Sequence, residues 1–249
     1  MARGESTLQI RGDWGADGVA ALLPVTDVFV LVDVLFAATT IDIAVSMGGQ
    51  VIPFLYRSDT AETFARGKSA VLARPKEAPE AKEGLSDLPS SMTSLQPGTR
   101  VALPAADLTA LVSAASGRGG DGAERMVLAG CLRNAGAVAE TARRLGRRIS
   151  VVPVGEHWPH GGLRPAVEDF IGAGAIIHRL EGAMSPEAQA ARAAFRDGWD
   201  DLPKTLARTG TGFGLRRDGF GGDVAVAGQL NASPYAPLYR DGAFRAAEW

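Results

Sequence analysis

The stretch "VFVLVDV", residues 28–34, is apolar on both faces apart from Asp33. A strand with one wet face alternates polar and apolar residues, whereas a strand covered by helices on both sides does not. The run therefore predicts a central strand in a helix-covered sheet. Working outward, β-rich runs predict further strands at 8–11, 50–55, 70–73, 100–103, 126–129 and 149–154. Helical spacing falls between and after them at 16–23, 39–47, 60–66, 107–115, 134–145 and 165–173. This alternation over 27–174 predicts an α/β fold of three layers, with a largely parallel or mixed sheet between helices and right-handed crossovers. Beyond 184 the pattern predicts a helical C-terminal part, opened by Ser185 as N-cap and Pro186 at the first helical position. Residues 74–98 carry prolines at 75, 79, 89 and 97 and lack periodicity, which predicts a long loop or flap within a single 1–249 unit.

Composition bounds the function. Of 249 residues, 46% are hydrophobic and 22% charged, enough to build a substantial core. A net charge of −2 gives no general attraction to nucleic acid or to an anionic membrane surface. One cysteine excludes a disulfide framework and a Cys-rich zinc site. No leader pattern and no long apolar run is present, so a soluble, cytoplasmic protein is expected.

In sheets of this kind ligands bind beyond the carboxyl ends of the strands. Three chemically loaded stretches fall there: "VDVLFAATT" (32–40), "AGCLRN" (129–134) and "VPVGEHWPHGGLRPAVED" (152–169). Asp33 interrupts an apolar strand, and a buried, unpaired carboxylate costs about several kcal/mol. A cation, a metal or backbone donors must compensate it, unless it already lies outside the strand as a turn cap. Thr39 and Thr40 stand at an expected helix start, where hydroxyls and free N–H groups suit an anion. Arg133 and Asn134 repeat the arrangement, with an arginine able to clamp an oxyanion. Ordinary capping and a surface arginine are the plain alternatives.

In the third stretch Pro165 suits a first helical turn, with Val167, Phe170, Ile171 and Gly174 as the expected buried face. Arg164 and Glu168, four apart, are expected to meet as a surface pair, with Asp169 solvated. The functional alternative has Arg164 holding an anion while Glu156 or Asp169 serves a metal or a proton transfer. His157 and His160 are too few for a zinc site and are expected in a loop. Cys131 reads as a small buried residue, and "GTGFG" (210–214) follows a helix rather than a strand, so it is not a dinucleotide loop.

Taken together, "VLVDVLFAATTIDIAVSMGGQVIPF", "VLAGCLRNAGAVAETA", "VPVGEHWPHGGLRPAVEDFIGAGAII" and "GFGGDVAVAGQLNASPYAPLYRDGAF" resemble the 2-phosphosulfolactate phosphatase family over most of 25–244. The resemblance implies an α/β fold and Mg²⁺-dependent removal of phosphate from 2-phosphosulfolactate, in the route toward coenzyme M. It implies Asp33, Glu156 and Arg164 as catalytic residues and Glu168 and Asp169 as magnesium ligands. Thr39, Thr40, Arg133 and Asn134 would then meet a small phosphorylated or sulfonated acid. A homo-oligomer is left open. The chain departs from the family where a "S-P-N-G-S/T" loop is replaced by Ala105-Ala106-Asp107-Leu108-Thr109, and where a "G-E-R-G-G" loop has no counterpart. The alternative implied by those departures is a relative without phosphatase chemistry that binds a small anionic metabolite or a protein partner.

Overall fold

The computed structural model describes residues 7–82, 84–117 and 123–248. The first half runs β1 (Gln9–Gly12), α1 (Gly15–Leu22), β2 (Val28–Val32), α2 (Ala37–Ser46), β3 (Gln50–Phe54), α3 (Ala61–Gly67), β4 (Val71–Leu72), β5 (Arg100–Pro104) and α4 (Ala106–Ala115). It continues through β6 (Met126–Gly130), α5 (Ala135–Leu145), β7 (Arg148–Pro153), β8 (Glu156–His157), β9 (Leu163–Arg164) and α6 (Val167–His178). The remainder is β10 (Ala183–Met184), α7 (Pro186–Asp197), α8 (Leu202–Leu206), α9 (Gly210–Arg217), α10 (Gly221–Ala227), β11 (Pro237–Arg240) and β12 (Ala243–Ala246).

Ten strands form one sheet in the order β10-β1-β7-β2-β6-β11-β12-β3-β5-β4. β2 is central and wholly buried, as its unbroken apolar run requires. Val28, Val30 and Val32 pack toward α5, α6 and α7, while Phe29 and Leu31 pack toward α2 and α4. The alternation of one strand between two cores is what makes three layers. The pairings β1–β7, β7–β2, β2–β6, β3–β5 and β5–β4 are parallel, as the strand–helix rhythm predicts.

Three features differ from expectation. Helices do follow residue 184, with Ser185 capping α7 through its hydroxyl to the N–H of Ala188 at 3.3 Å. The chain then returns as the hairpin β11–β12, antiparallel to both neighbours, wedged between β6 and β3. Residues 74–98 are not a bare loop: 89–94 form a 3-10 helix, and Leu88, Met92 and Leu95 are buried. Finally, α6 starts at Val167, which is half exposed, and buries Glu168 and Asp169. The expected apolar face was rotated: Ile171 and Gly174 do face inward, but two acids share that side. Gly174 is needed there, because a Cβ would stand 2.0 Å from the Ala191 carbonyl of α7.

Candidate active site

A cavity of about 370 Å³ opens at the carboxyl ends of β2, β5 and β7. Its walls carry six carboxyl groups, Asp33, Asp87, Asp107, Glu156, Glu168 and Asp169, and one cationic side chain, Lys76. A wider groove of about 1110 Å³ runs along the outer face of α5, lined by Arg143, Arg144, Arg147 and Arg179, but it is open and holds none of the buried acids.

Asp33 follows the last residue of β2 rather than lying inside the strand. Its Oδ1 accepts the N–H of Ala37 at 3.1 Å and its carbonyl accepts that of Ala38, so it caps α2 while facing the cavity. The peptide between Leu35 and Phe36, in the same turn, is cis. Burial, reinforced by the charges of Asp107, Glu156 and Glu168, pushes the Asp33 carboxyl up to about 7.

Asp169 is enclosed beside it. Oδ1 accepts the N–H of Val34 at 2.7 Å and Oδ2 that of Gly155 at 3.0 Å. Burial first, then the neighbouring Asp33, raises its carboxyl well above the ordinary aspartate range despite those two donors. Gly155 adopts a positive φ of 72°, and a Cβ there would meet Leu163 Cδ1 at 2.7 Å, so glycine lets the chain turn against the β9 strand. Glu168 is 2% exposed, and its Oε1 has no hydrogen-bond partner among the described residues. A buried carboxylate oxygen without a protein donor is suited to a cation or a water.

Glu156 and Arg164 face each other across the antiparallel β8–β9 pair. The guanidinium Nε and Nη2 both reach Glu156 Oε2, and Nη2 also donates to Thr211 Oγ1 at 2.7 Å. The Thr211 hydroxyl in turn donates to Glu156 Oε1, tying α9 to the hairpin. The expected Arg164–Glu168 surface pair is therefore replaced by an Arg164–Glu156 pair, because Arg164 lies in a strand and not in the helix. Arg164 also sits over the Trp158 ring at 5.8 Å in a recess adjoining the cavity. His157 lies in the hairpin and its Nδ1 stands 3.0 Å from Asp107 Oδ1.

The structure does not bring Thr39, Thr40, Arg133 and Asn134 to this cavity. α2 begins two residues before Thr39, so both threonines are buried within the helix, bonding the carbonyls of Val34 and Asp87. Arg133 pairs with the buried Asp42 at 3.1 Å and donates to Gln229 Oε1 at 2.6 Å. Asn134 accepts the Cys131 N–H at 2.9 Å and donates to the Ala129 carbonyl at 3.3 Å. Cys131 is buried, with its thiol pushed up by that burial. Of the polar side chains on the lining, Lys76, Asp87 and Thr211 carry no signal that the sequence reading used. The first two lie in the aperiodic 74–98 segment, where Lys76 Nζ stands 2.9 Å from Glu77 and 3.9 Å from Asp87. Thr211 lies in the rejected "GTGFG" stretch, which opens α9.

The sequence profile of the 2-phosphosulpholactate phosphatases matches residues 20–242, so the match takes in β2 through β11 and all the lining residues. The chain belongs to that family. It is also 28% identical over 214 residues to a 2-phosphosulfolactate phosphatase of Methanothermobacter thermautotrophicus, covering 86% of this chain and 87% of the relative. The match therefore includes the segment 74–98 and the first strand of the C-terminal hairpin, in the two regions that sequence periodicity described least well. No described helix is long and apolar enough to cross a membrane.

Proposed function

We propose that this family member is a Mg²⁺-dependent phosphatase that cleaves 2-phosphosulfolactate or a related small phosphorylated hydroxy acid. One observation supports the reading most: Asp33, raised to about 7, shares a cavity with the unpartnered buried oxygen of Glu168. A proton acceptor working near neutral pH and a carboxylate lacking a counter-charge are what metal-assisted phosphate hydrolysis needs in one place.

The residues fit Mg²⁺ in a particular way. Among the described residues no group of three or more His, Cys, Asp or Glu side chains is arranged to hold a metal. Mg²⁺ does not require one, since one or two carboxylates with water and phosphate oxygens suffice. Glu168, with its open oxygen, is the ligand we assign, and Asp33 lines the same cavity. Asp169, assigned by resemblance as a ligand, uses both oxygens on backbone N–H groups and instead holds Val34 and Gly155 in place. When bound, the ion would offset charge on the phosphoryl oxygens.

The chain's own residues supply the rest. Asp33 takes a proton from the attacking water. The bond between phosphorus and the ester oxygen breaks, the proton held by Asp33 passes to that leaving oxygen, and inorganic phosphate and the hydroxy acid leave. Glu156, fixed by Arg164 and Thr211, and Asp107 keep Asp33 basic enough for that role through their charge. Lys76, on the same lining, would offset charge on the phosphate. The test is phosphate release from 2-phosphosulfolactate and related acids with Mg²⁺ and with chelator. Metal-dependent release supports the reading; silence from folded protein shifts weight to a relative that only binds.

A further inference from the structure

Within that phosphatase reading, the structure narrows the substrate. The wall formed by α4 carries Ala105, Ala106 and Asp107 into the cavity. Asp107 lies in the first helical turn, where the free N–H groups of a ten-residue helix would otherwise favour a substrate anion. The protein thus supplies its own carboxylate at the one place on this wall best suited to a second anionic group. His157 holds that carboxylate through Oδ1 at 3.0 Å, which leaves Oδ2 for a ligand. A carboxylate accepts hydrogen bonds and cannot donate them.

The surrounding charge leans the same way. The cavity lining carries six acids against Lys76, and Lys76 already shares its charge with Glu77 and Asp87. Of the like charges acting on Asp33, that of Asp107 comes first. A phosphate can be balanced there by a cation at Glu168 together with Lys76. Among the described lining residues no further positive group remains, and the nearest guanidinium, Arg164 in the adjoining recess, is already held by Glu156, so a single carboxylate is easier to place than a carboxylate and a sulfonate together.

We infer that Asp107 is a specificity-determining residue, and that the substrate bears a hydrogen-bond donor such as a hydroxyl where 2-phosphosulfolactate bears its sulfonate. The substrate class is then a 2-phosphorylated hydroxy acid with one carboxylate and a neutral polar end. Discrimination of this kind comes as much from repelling the wrong group as from binding the right one.

Three acids that share a skeleton test it: 2-phosphoglycerate, 2-phospholactate and 2-phosphosulfolactate, which differ in a hydroxyl, a hydrogen or a sulfonate. The parent protein with Mg²⁺ should prefer 2-phosphoglycerate over 2-phosphosulfolactate by about tenfold or more in kcat/KM, the size of one good polar contact. Asp107→Asn and, independently, Asp107→Ser should each shrink that ratio by about fivefold or more. The ratio between substrates does not respond to a general loss of folded enzyme. A parent that prefers 2-phosphosulfolactate, or a ratio unmoved in both variants, overturns the inference. Should no acid be hydrolysed by any of the three proteins, the phosphatase reading fails, and calorimetric titration of the same acids decides the charge selection. Tighter binding of 2-phosphoglycerate than of 2-phosphosulfolactate upholds it; the reverse order or equal affinity overturns it.

Discussion

Asp169 Oδ1 accepts the backbone N–H of Val34 at 2.7 Å, so an acid on α6 fixes the chain one residue beyond Asp33. The carboxylate that does the proposed chemistry is thus positioned by another carboxylate that does none. Asp169→Asn replaces one acceptor oxygen by an NH₂ group facing an N–H. Loss of that buried bond should destabilise the protein by about 2–3 kcal/mol. Urea unfolding measures this, and a change under about 0.5 kcal/mol, the size expected of an ordinary surface site, would contradict the positioning role.

Asp33 carries the opposite signature. Between its ordinary value of 3.8 and about 7, the folded protein retains a proton that the unfolded chain has released. Its contribution to stability is therefore full below 3.8 and declines as pH rises through that window. Asp33→Asn removes the ionisation. At pH 8 the variant should exceed the parent in stability by on the order of 2 kcal/mol, with the gap closing toward pH 4. The same variant should lose about a hundredfold or more in phosphate release. Paired thermal melts and phosphate assays read both, and a variant as active as the parent would end Asp33's candidacy.

Mg²⁺ binding should be linked to the same group. A cation beside Asp33 favours its ionised form, so binding below pH 7 must displace a proton. The rise in melting temperature given by a fixed Mg²⁺ concentration should be larger at pH 8 than at pH 6. An equal rise at both values would separate the metal from Asp33.

Arg133 makes a contrasting case, because it was expected to bind substrate and instead neutralises Asp42. Asp42 is fully buried and its carboxyl is raised chiefly by that burial, so the arginine is its necessary partner. Arg133→Ala should cost about 3–5 kcal/mol by stranding a buried charge. The surviving folded fraction should keep its KM for phosphorylated acids. A raised KM with unchanged unfolding would return Arg133 to the site.

The contrast between Arg133 and Asp33 shows what could be read from sequence. Asp33 was legible because an acid breaking a seven-residue apolar run has few explanations, and the structure shows the turn cap, placed on the lining of a cavity. Glu156, Arg164, Glu168 and Asp169 were legible as a group from the loaded loop after β7. Their contacts were not, since a two-residue hairpin strand leaves no periodicity and Arg164 stood at the margin of the expected helix. Thr39 and Arg133 failed for a simpler reason: a residue near a strand end can turn either to the crevice or into the layer behind it. β11 and β12 escaped notice because four-residue strands in "APLYRDGAFRA" look like any polar turn with flanking apolar residues. Lys76 and Asp87 sit where the chain has no repeating pattern at all.

The placement of that hairpin has a consequence for how the molecule is made. β6 and β3 are not neighbours, and the β10-β1-β7-β2-β6 ladder meets the β3-β5-β4 ladder only through β11 and β12. Leu238 pairs with Leu128 on one side and Phe244 with Val51 on the other. During synthesis from the amino end, both ladders emerge before the strands that join them. Asp33 and Glu156 belong to one ladder and Asp107 to the other, so the cavity spans a seam sealed by the last strands to emerge. Closing contacts this distant in sequence is slow, and until it happens the nascent chain holds two half-sheets with open edges and its acids divided between them.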